Sequence, residues 1–459
     1  MQFARHALLA LVATATMALA APAGPKPFVD GDTVCFIGDS ITHGGRYHSY
    51  VYLYYATRFP ERKIQFVNCG ISGDTASGGL ARVDWDVLVH KPTVAPIMMG
   101  MNDVGRNLYG KENPDAANLK RRQDALKRHA DSMRKLTAAL VKAGVKPVYI
   151  LPSIYDETST MAKPNLYGVN GALGICAKGA TELAAANQAG VVDFWGAMNR
   201  LNAQVQKADP KATIVGGDRV HPGPLGHFLM AYTFLDAQQI SPFVARMGVN
   251  AASGKIALQD NCTITAVQKT ATGIRFGCLE KALPFPVQRG TEGALKLVPF
   301  VEKMNQEVLR VQGLAAGNYA LLVDGQEVGV YEAKALEAGI NLAVNAKMPQ
   351  YKQAQEVAKA NDERHGVESG RLRNIVANER RVRKQGVDLN DLESRQKAVD
   401  AFLARIAKSS NFRYYKGSCE RYLKDKAQEP QLRAQWRAAM ARMYEVNRPK
   451  PHTYELVRR

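Results

Sequence analysis

Between residue 33 and about residue 240, short apolar runs alternate with longer stretches of mixed character. The runs at 33–37, 64–68, 93–99, 147–151 and 191–194 carry apolar side chains on successive positions rather than alternate ones. Such runs predict strands buried on both faces of a sheet. Between them, 47–59, 118–143 and 170–189 show the wider apolar spacing of helices, and a last helix is predicted over 225–238. Strand alternating with helix predicts an α/β unit, a parallel sheet with helices on both faces, spanning residues 26–244.

The pattern changes at about residue 245. Strict alternation appears at 255–258, 263–267, 274–278, 319–323 and 327–331, broken by Gly, Pro and Asp-Gly turns. This predicts a small β-rich domain over 245–345, built as a sandwich. It reads either as a carbohydrate-binding accessory module or as a structural appendage. Phe276, Tyr319 and Tyr331 fall on strand patterns and count as core, which favours the appendage. Residues 346–459 return to helical spacing and hold 26 Lys and Arg against 14 Asp and Glu from 347 onward. That excess would attract an anionic polymer, or would lie on the solvated faces of amphipathic helices. The basic residues are interleaved with apolar ones at helical spacing, as over 433–443, which favours the second reading. The aromatic-basic stretch from Phe412 to Lys416 suits either a contact surface or helix packing.

At 459 residues, 46% hydrophobic and 22% charged, the chain is ordinary globular material of two or three domains. Arg5 and His6 precede an apolar run over 7–20 that ends Ala18-Leu19-Ala20, so residues 1–20 read as a secretory signal peptide. The expected location is periplasmic or extracellular, with no transmembrane segment left after its removal and no nucleic-acid partner. Export permits disulfides, and Cys262 and Cys278 flank a predicted hairpin and are expected to pair. Cys35 and Cys69 are expected as buried thiols, while pairing of Cys176 with Cys419 stays open. No C-x-x-C and no His/Cys cluster points to a metal.

The chemistry concentrates where strands run out into turns. Ser40 follows the first apolar run in Gly38-Asp39-Ser40, a placement typical of catalytic groups in open α/β sheets. A serine needs a base, and Asp218-Arg219-Val220-His221 supplies a histidine with a carboxylate three residues before it. Gly70 can offer an unobstructed backbone N–H to an oxyanion, and Asn102, in Gly100-Met101-Asn102-Asp103, its side-chain amide. In order, G-D-S, an early Gly, G-x-N-D and D-x-x-H resemble the four blocks of the SGNH (GDSL) hydrolase superfamily. The resemblance covers about half the chain and implies a flavodoxin-like sheet. It implies Ser40 as nucleophile, His221 as base, Asp218 behind it, and Ser40 N–H, Gly70 and Asn102 as oxyanion donors. No cofactor is expected.

His43, Arg46 and His48 follow the nucleophile closely and are expected near the mouth of the site, touching substrate or capping the loop. His227 and Asp74 read as structural. The expected reaction is hydrolysis of acyl esters, acetyl first, on carbohydrate. Two other readings stand beside it: a lipolytic esterase or thioesterase of the same superfamily, and a non-catalytic glycan-binding protein of the cell envelope. The lipolytic reading needs an acyl groove, which Tyr50, Tyr52, Tyr54 and Tyr55 would line unless they form a buried helix face.

Overall fold

Val34 and Phe36 pack to one side of their strand while Cys35 and Ile37 pack to the other, and all four are fully buried. That double burial is what the unbroken apolar runs predicted. The computed structural model describes residues 23–383 and 387–459; the signal-peptide reading of 1–20 lies outside the described residues. Strands β1 (Thr33–Gly38), β2 (Gln65–Gly70), β3 (Val94–Met98), β4 (Lys146–Ile150) and β5 (Gly190–Val192) form one parallel sheet in the order β2-β1-β3-β4-β5. Helices Arg46–Arg58 and Pro224–Ala237 cover one face, and Ala116–Lys142 and Val169–Ala186 cover the other. The fold is the SGNH hydrolase fold with additional sheets and C-terminal helices. The carboxyl ends of β1, β2 and β3 lead directly into Ser40, the 71–74 loop and Asn102.

The tyrosine-rich helix Arg46–Arg58 is buried almost throughout, because the sheet, Pro224–Ala237 and the later helix Pro349–Val367 all pack against it. Tyr52 donates its hydroxyl to Ile64 O at 2.9 Å and Tyr55 to Gln238 Oε1 at 2.9 Å. These tyrosines are core and line no acyl groove.

The β-module is a sandwich of a four-stranded and a five-stranded sheet. Met247 and Val249 of one sheet meet Ile264, Phe276 and Leu321 of the other in a shared core. Its composition corrects the expected domain limits. The last strand, Pro451–Arg458, lies between Gly273–Glu280 and Asn318–Val323 and completes the five-stranded sheet, so the chain returns to this module after the helices. The expected Cys262–Cys278 disulfide is also corrected, since all six cysteines are free and buried. Cys262 faces Glu280 while Cys278 faces Ile264, so the two are diagonal neighbours. Their thiols lie within hydrogen-bond contact of one another, with no bond between the sulfurs.

Most basic side chains of the helical region lie on solvated helix faces, as the amphipathic reading expected, but the helices are docked on the catalytic domain. They cap the exposed edge of β2. Glu368 accepts the Asn68 N–H at 3.0 Å, Arg373 donates to Gly70 O at 3.1 Å, and Tyr444 donates to Ile64 O at 2.7 Å. An edge strand leaves such groups unpaired, and covering them removes a site of misassociation. Arg364 and Arg373 are buried, the first paired with Glu368 at 2.6 Å and the second with Asp86 at 2.7 Å. Asp86 is also paired with Arg82. Burial opposes ionisation of Asp86, but Arg373 and then Arg82 outweigh it and hold the carboxyl well below its ordinary range. Removing one partner of such a pair leaves a buried charge exposed to no solvent. Arg373→Met should therefore cost roughly 3 kcal/mol in urea unfolding, and adding Asp86→Asn should return part of that loss. Strict additivity of the two changes would refute the linkage.

Candidate active site

Asp39 ends the first βα turn, and its carboxylate accepts the Ile41 N–H at 3.0 Å, capping the short helix Ser40–Gly44. Ser40 is the first residue of that helix. Its Oγ lies 2.7 Å from His221 Nε2. On the far side of the ring, His221 Nδ1 is hydrogen-bonded to Asp218 Oδ2. Asp218 Oδ1 accepts the N–H groups of Val220 and His221, each at 3.0 Å. Burial raises the Asp218 carboxyl, but the His221 ring and these two N–H groups bring it below its usual value. It is thus an anion held against the imidazole. The side chains of His221 and Asp218 are 46% and 47% exposed, so the site is shallow and open.

The 218–221 turn is held by Arg219, a residue with no expected role in the site. Arg219 adopts φ 69°, a strained left-handed conformation for a long side chain. Its buried guanidinium compensates by donating to the carbonyls of Asp156, Ser159, Met161 and Lys163 at 2.8–3.2 Å. The only available signal was its position inside D-x-x-H. It acts through the backbone, fixing the two residues that flank it.

Of the three expected oxyanion donors, two keep a hydrogen unengaged among the described residues and one does not. Asn102 Nδ2 donates one hydrogen to Asp74 O at 2.9 Å and keeps its second. The Ser40 N–H has no acceptor among the described residues. Gly70 is corrected: its N–H is taken by Asn68 Oδ1 at 2.9 Å. Gly70 is required for a steric reason, because a Cβ there would lie 2.2 Å from His43 N and 2.5 Å from Thr42 C. Its missing side chain lets the nucleophile helix lie directly on β2. Three residues later, Gly73 has φ 77°, open space where a Cβ would be, and an N–H with no acceptor among the described residues. It precedes Asp74, whose carbonyl holds Asn102.

The expected substrate contacts are largely redirected. His48 is buried, stacked on Phe36 at 4.8 Å, with Nε2 3.1 Å from Thr42 O; it cannot meet substrate. Burial, then Arg373, pushes His43 down to about 4, and its Nδ1 accepts the Ser72 N–H at 3.1 Å. His43 therefore braces the 71–73 loop. Arg46 stays partly exposed but is tied to Asp362 at 2.7 Å. His227 stacks on Tyr47 with ring centroids 6.3 Å apart, and Asp74 is fully buried against Arg82 and Arg380, as structural roles require. Metal-binding groups of three or more His, Cys, Asp or Glu do not occur among the described residues. A cavity of about 810 Å³ lined by Arg58, Phe59, Ile240 and Phe243 lies at the opposite end of the sheet from Ser40, so size does not mark the chemistry here.

With this geometry in view, the comparisons with known proteins fall into place. The model of the GDSL-like Lipase/Acylhydrolase family matches residues 34–234. An acetylxylan esterase from Geobacillus stearothermophilus is 29% identical over 224 residues, which are 45% of this chain and 93% of that protein. Among solved structures, BT4096, a gut microbial diltiazem-metabolizing enzyme, is 32% identical with a TM-score of 0.86, covering 95% of this chain and all of that one. The second likeness extends through the β-module and the C-terminal helices.

Two outcomes follow from the site's supports. Arg219→Ala should lower kcat/KM by ~10²-fold through displacement of His221, with the ester-independent fold retained by circular dichroism; unchanged kinetics would dismiss the anchor. Asp39 is raised by burial to about 6, against the pull of the Ile41 N–H. Its unfolded value is ~3.9, so the native state holds the extra proton between about pH 4 and 6 and stability falls as pH rises through that window. Asp39→Asn, which keeps an acceptor for Ile41, should be the more stable protein at pH 8 by on the order of 2 kcal/mol and should lose that advantage by pH 4. Equal gains at both pH values would contradict the assignment.

Proposed function

The chain belongs to the GDSL-like lipase/acylhydrolase family and is a carboxylic ester hydrolase, and we propose from this that Ser40, His221 and Asp218 are its catalytic triad and acetylated carbohydrate its substrate. The observation that carries the proposal is the continuous hydrogen-bonded relay from Ser40 Oγ through His221 to Asp218. His221 Nε2 takes the hydroxyl proton as Ser40 Oγ attacks the ester carbonyl. Asp218 keeps Nδ1 protonated and balances the imidazolium charge. The oxyanion is received by Ser40 N–H, the free amide hydrogen of Asn102 and Gly73 N–H, in place of Gly70. His221 then protonates the leaving alkoxide, and water, activated by the same ring, hydrolyses the acyl-enzyme.

A short acyl group suits this site. Its catalytic side chains stand on an open rim, and the tyrosines that would have lined a long acyl groove are core. The Geobacillus relative is named an acetylxylan esterase, which supports acetyl as the group removed and a carbohydrate as its carrier. We also place the enzyme outside the cytoplasm, on the basic-then-apolar pattern of residues 1–20. Mass measurement of the mature N-terminus tests that placement.

Ser40→Ala and His221→Ala should each lower turnover of an acetyl ester by roughly 10⁴-fold or more, and Asn102→Ala by ~10²–10³. Acetate release from acetylated oligosaccharides, set against p-nitrophenyl esters of rising chain length, decides the substrate class. A rate that climbs with acyl length would replace the carbohydrate reading with the lipolytic one. Undiminished turnover in Ser40→Ala would remove the triad.

A further inference from the structure

The C-terminal helices do more than cover the edge of β2. Three of them, Arg373–Arg383, Leu392–Arg405 and Phe412–Ala427, border an open cleft of about 270 Å³ whose other wall is the 71–73 loop. That loop carries Gly73, so the cavity adjoins the place where the ester carbonyl would be held. Its volume lies just under the roughly 300–1,000 Å³ of drug-sized ligand pockets and leaves room for one sugar unit.

The charge on its walls is uneven. Arg380 is already neutralised, with Nη1 2.8 Å from Asp74 Oδ1. Arg381 and Arg405 are not: neither pairs with a carboxylate among the described residues. Arg381 donates to the neutral Asn378 Oδ1 at 2.7 Å and lies over Tyr415, 4.9 Å from the ring centre, with Phe402 at 5.9 Å. Arg405 lies 5.6 Å from the same Phe402 ring. Two guanidinium groups thus lie near one aromatic ring, Arg381 half-buried and Arg405 exposed, and neither meets a carboxylate among the described residues. An anion entering the cavity would therefore meet two guanidinium groups whose charges no carboxylate balances. The aromatic rings hold Arg381 in place beforehand, and a guanidinium fork matches a carboxylate in two parallel hydrogen bonds.

We propose that this cavity is a subsite for a uronic acid residue of the substrate, with Arg381 and Arg405 holding the sugar carboxylate beside the ester that Ser40 cleaves. The inference rests on the carbohydrate-esterase reading above and narrows it to acidic glycans. The rings of Phe402 and Tyr415 supply apolar surface for the faces of the sugar. The aromatic-basic stretch around Tyr415 gains a role here that helix packing alone does not give it.

Binding to the Ser40→Ala protein tests this without turnover. Calorimetric titration with a galacturonate trisaccharide should give an affinity at least about tenfold tighter than the neutral galactose trisaccharide, weakening as salt is added. Arg405→Ala, at an exposed helix position, and separately Arg381→Gln should each bring the ratio of the two affinities towards one. Equal affinity for the two sugars in the Ser40→Ala parent would overturn the proposal, as would a preference that survives both substitutions. A sulfated galactose trisaccharide held as tightly as the uronide would also overturn the carboxylate assignment. Loss of the esterase reading shows instead as wild-type protein that releases no acetate from any ester, whatever the titrations give.

Discussion

The side of the site proposed to receive the oxyanion is built on two carboxylates that have no access to water. Asp74 and Asp86 are buried beneath the 70–74 loop, and each is shared between arginines: Arg82 and Arg380 for the first, Arg82 and Arg373 for the second. An unpaired carboxylate in such a place would cost several kcal/mol. The pairing is therefore obligatory, and it has a directional consequence. Arg82 comes from the catalytic domain, whereas Arg373 and Arg380 come from a helix some three hundred residues further along the chain. Arg373 also holds the carbonyl of Gly70, and the carbonyl of Asp74 holds Asn102. The loop proposed to present oxyanion donors cannot shift without opening an ion network that closes only when the C-terminal helices are docked.

This reassigns part of the chain's positive charge. A formal excess of basic residues suggests attraction to something outside the molecule. Here Arg364 and Arg373 point inward and balance acids within the fold, and Arg380 does the same at its surface. Composition counts charges but not their partners, so the excess could not be divided between interior and surface from sequence. Arg381 and Arg405 are among the basic residues left without a carboxylate once the internal pairs are known.

The catalytic sheet was legible because its signals are local. Each buried strand is an unbroken apolar run, and each catalytic block follows directly from a strand end. The two glycines mark the limit of that reading. Gly70 was singled out because a glycine leaves its N–H open, yet that N–H goes to Asn68, and the need for glycine comes from the nucleophile helix 2.2 Å from a virtual Cβ. Gly73, with its positive φ and unengaged N–H, looked like any turn residue. Sequence marks where a glycine stands; only the neighbours brought by folding say which property is used. His48 was misplaced for the same reason, since nothing local says which side of a helix meets the sheet. The strand Pro451–Arg458 escaped because its partners lie at 273–280 and 318–323, and a lone terminal strand has no turn beside it to announce a hairpin.

Rigid donors and an open base divide the work of selectivity. His221 and Asp218 stand half-exposed on a turn held from behind by Arg219, so they impose little shape on whatever approaches. The donors under the carbonyl are equally indifferent to what lies beyond the ester, since every acyl transfer develops the same oxyanion. A site of this kind discriminates only through walls further out. Those walls are not supplied by residues 34–234 alone: the cleft beside Gly73 is bordered by Arg381, Phe402, Arg405 and Tyr415. The same helix that neutralises Asp74 and Asp86 carries Arg381, so one docking event both sets the oxyanion loop and forms the outer wall. Proteins that share the catalytic sheet and lack these helices would keep the chemistry while having to find another support for the loop and another basis for choosing an ester.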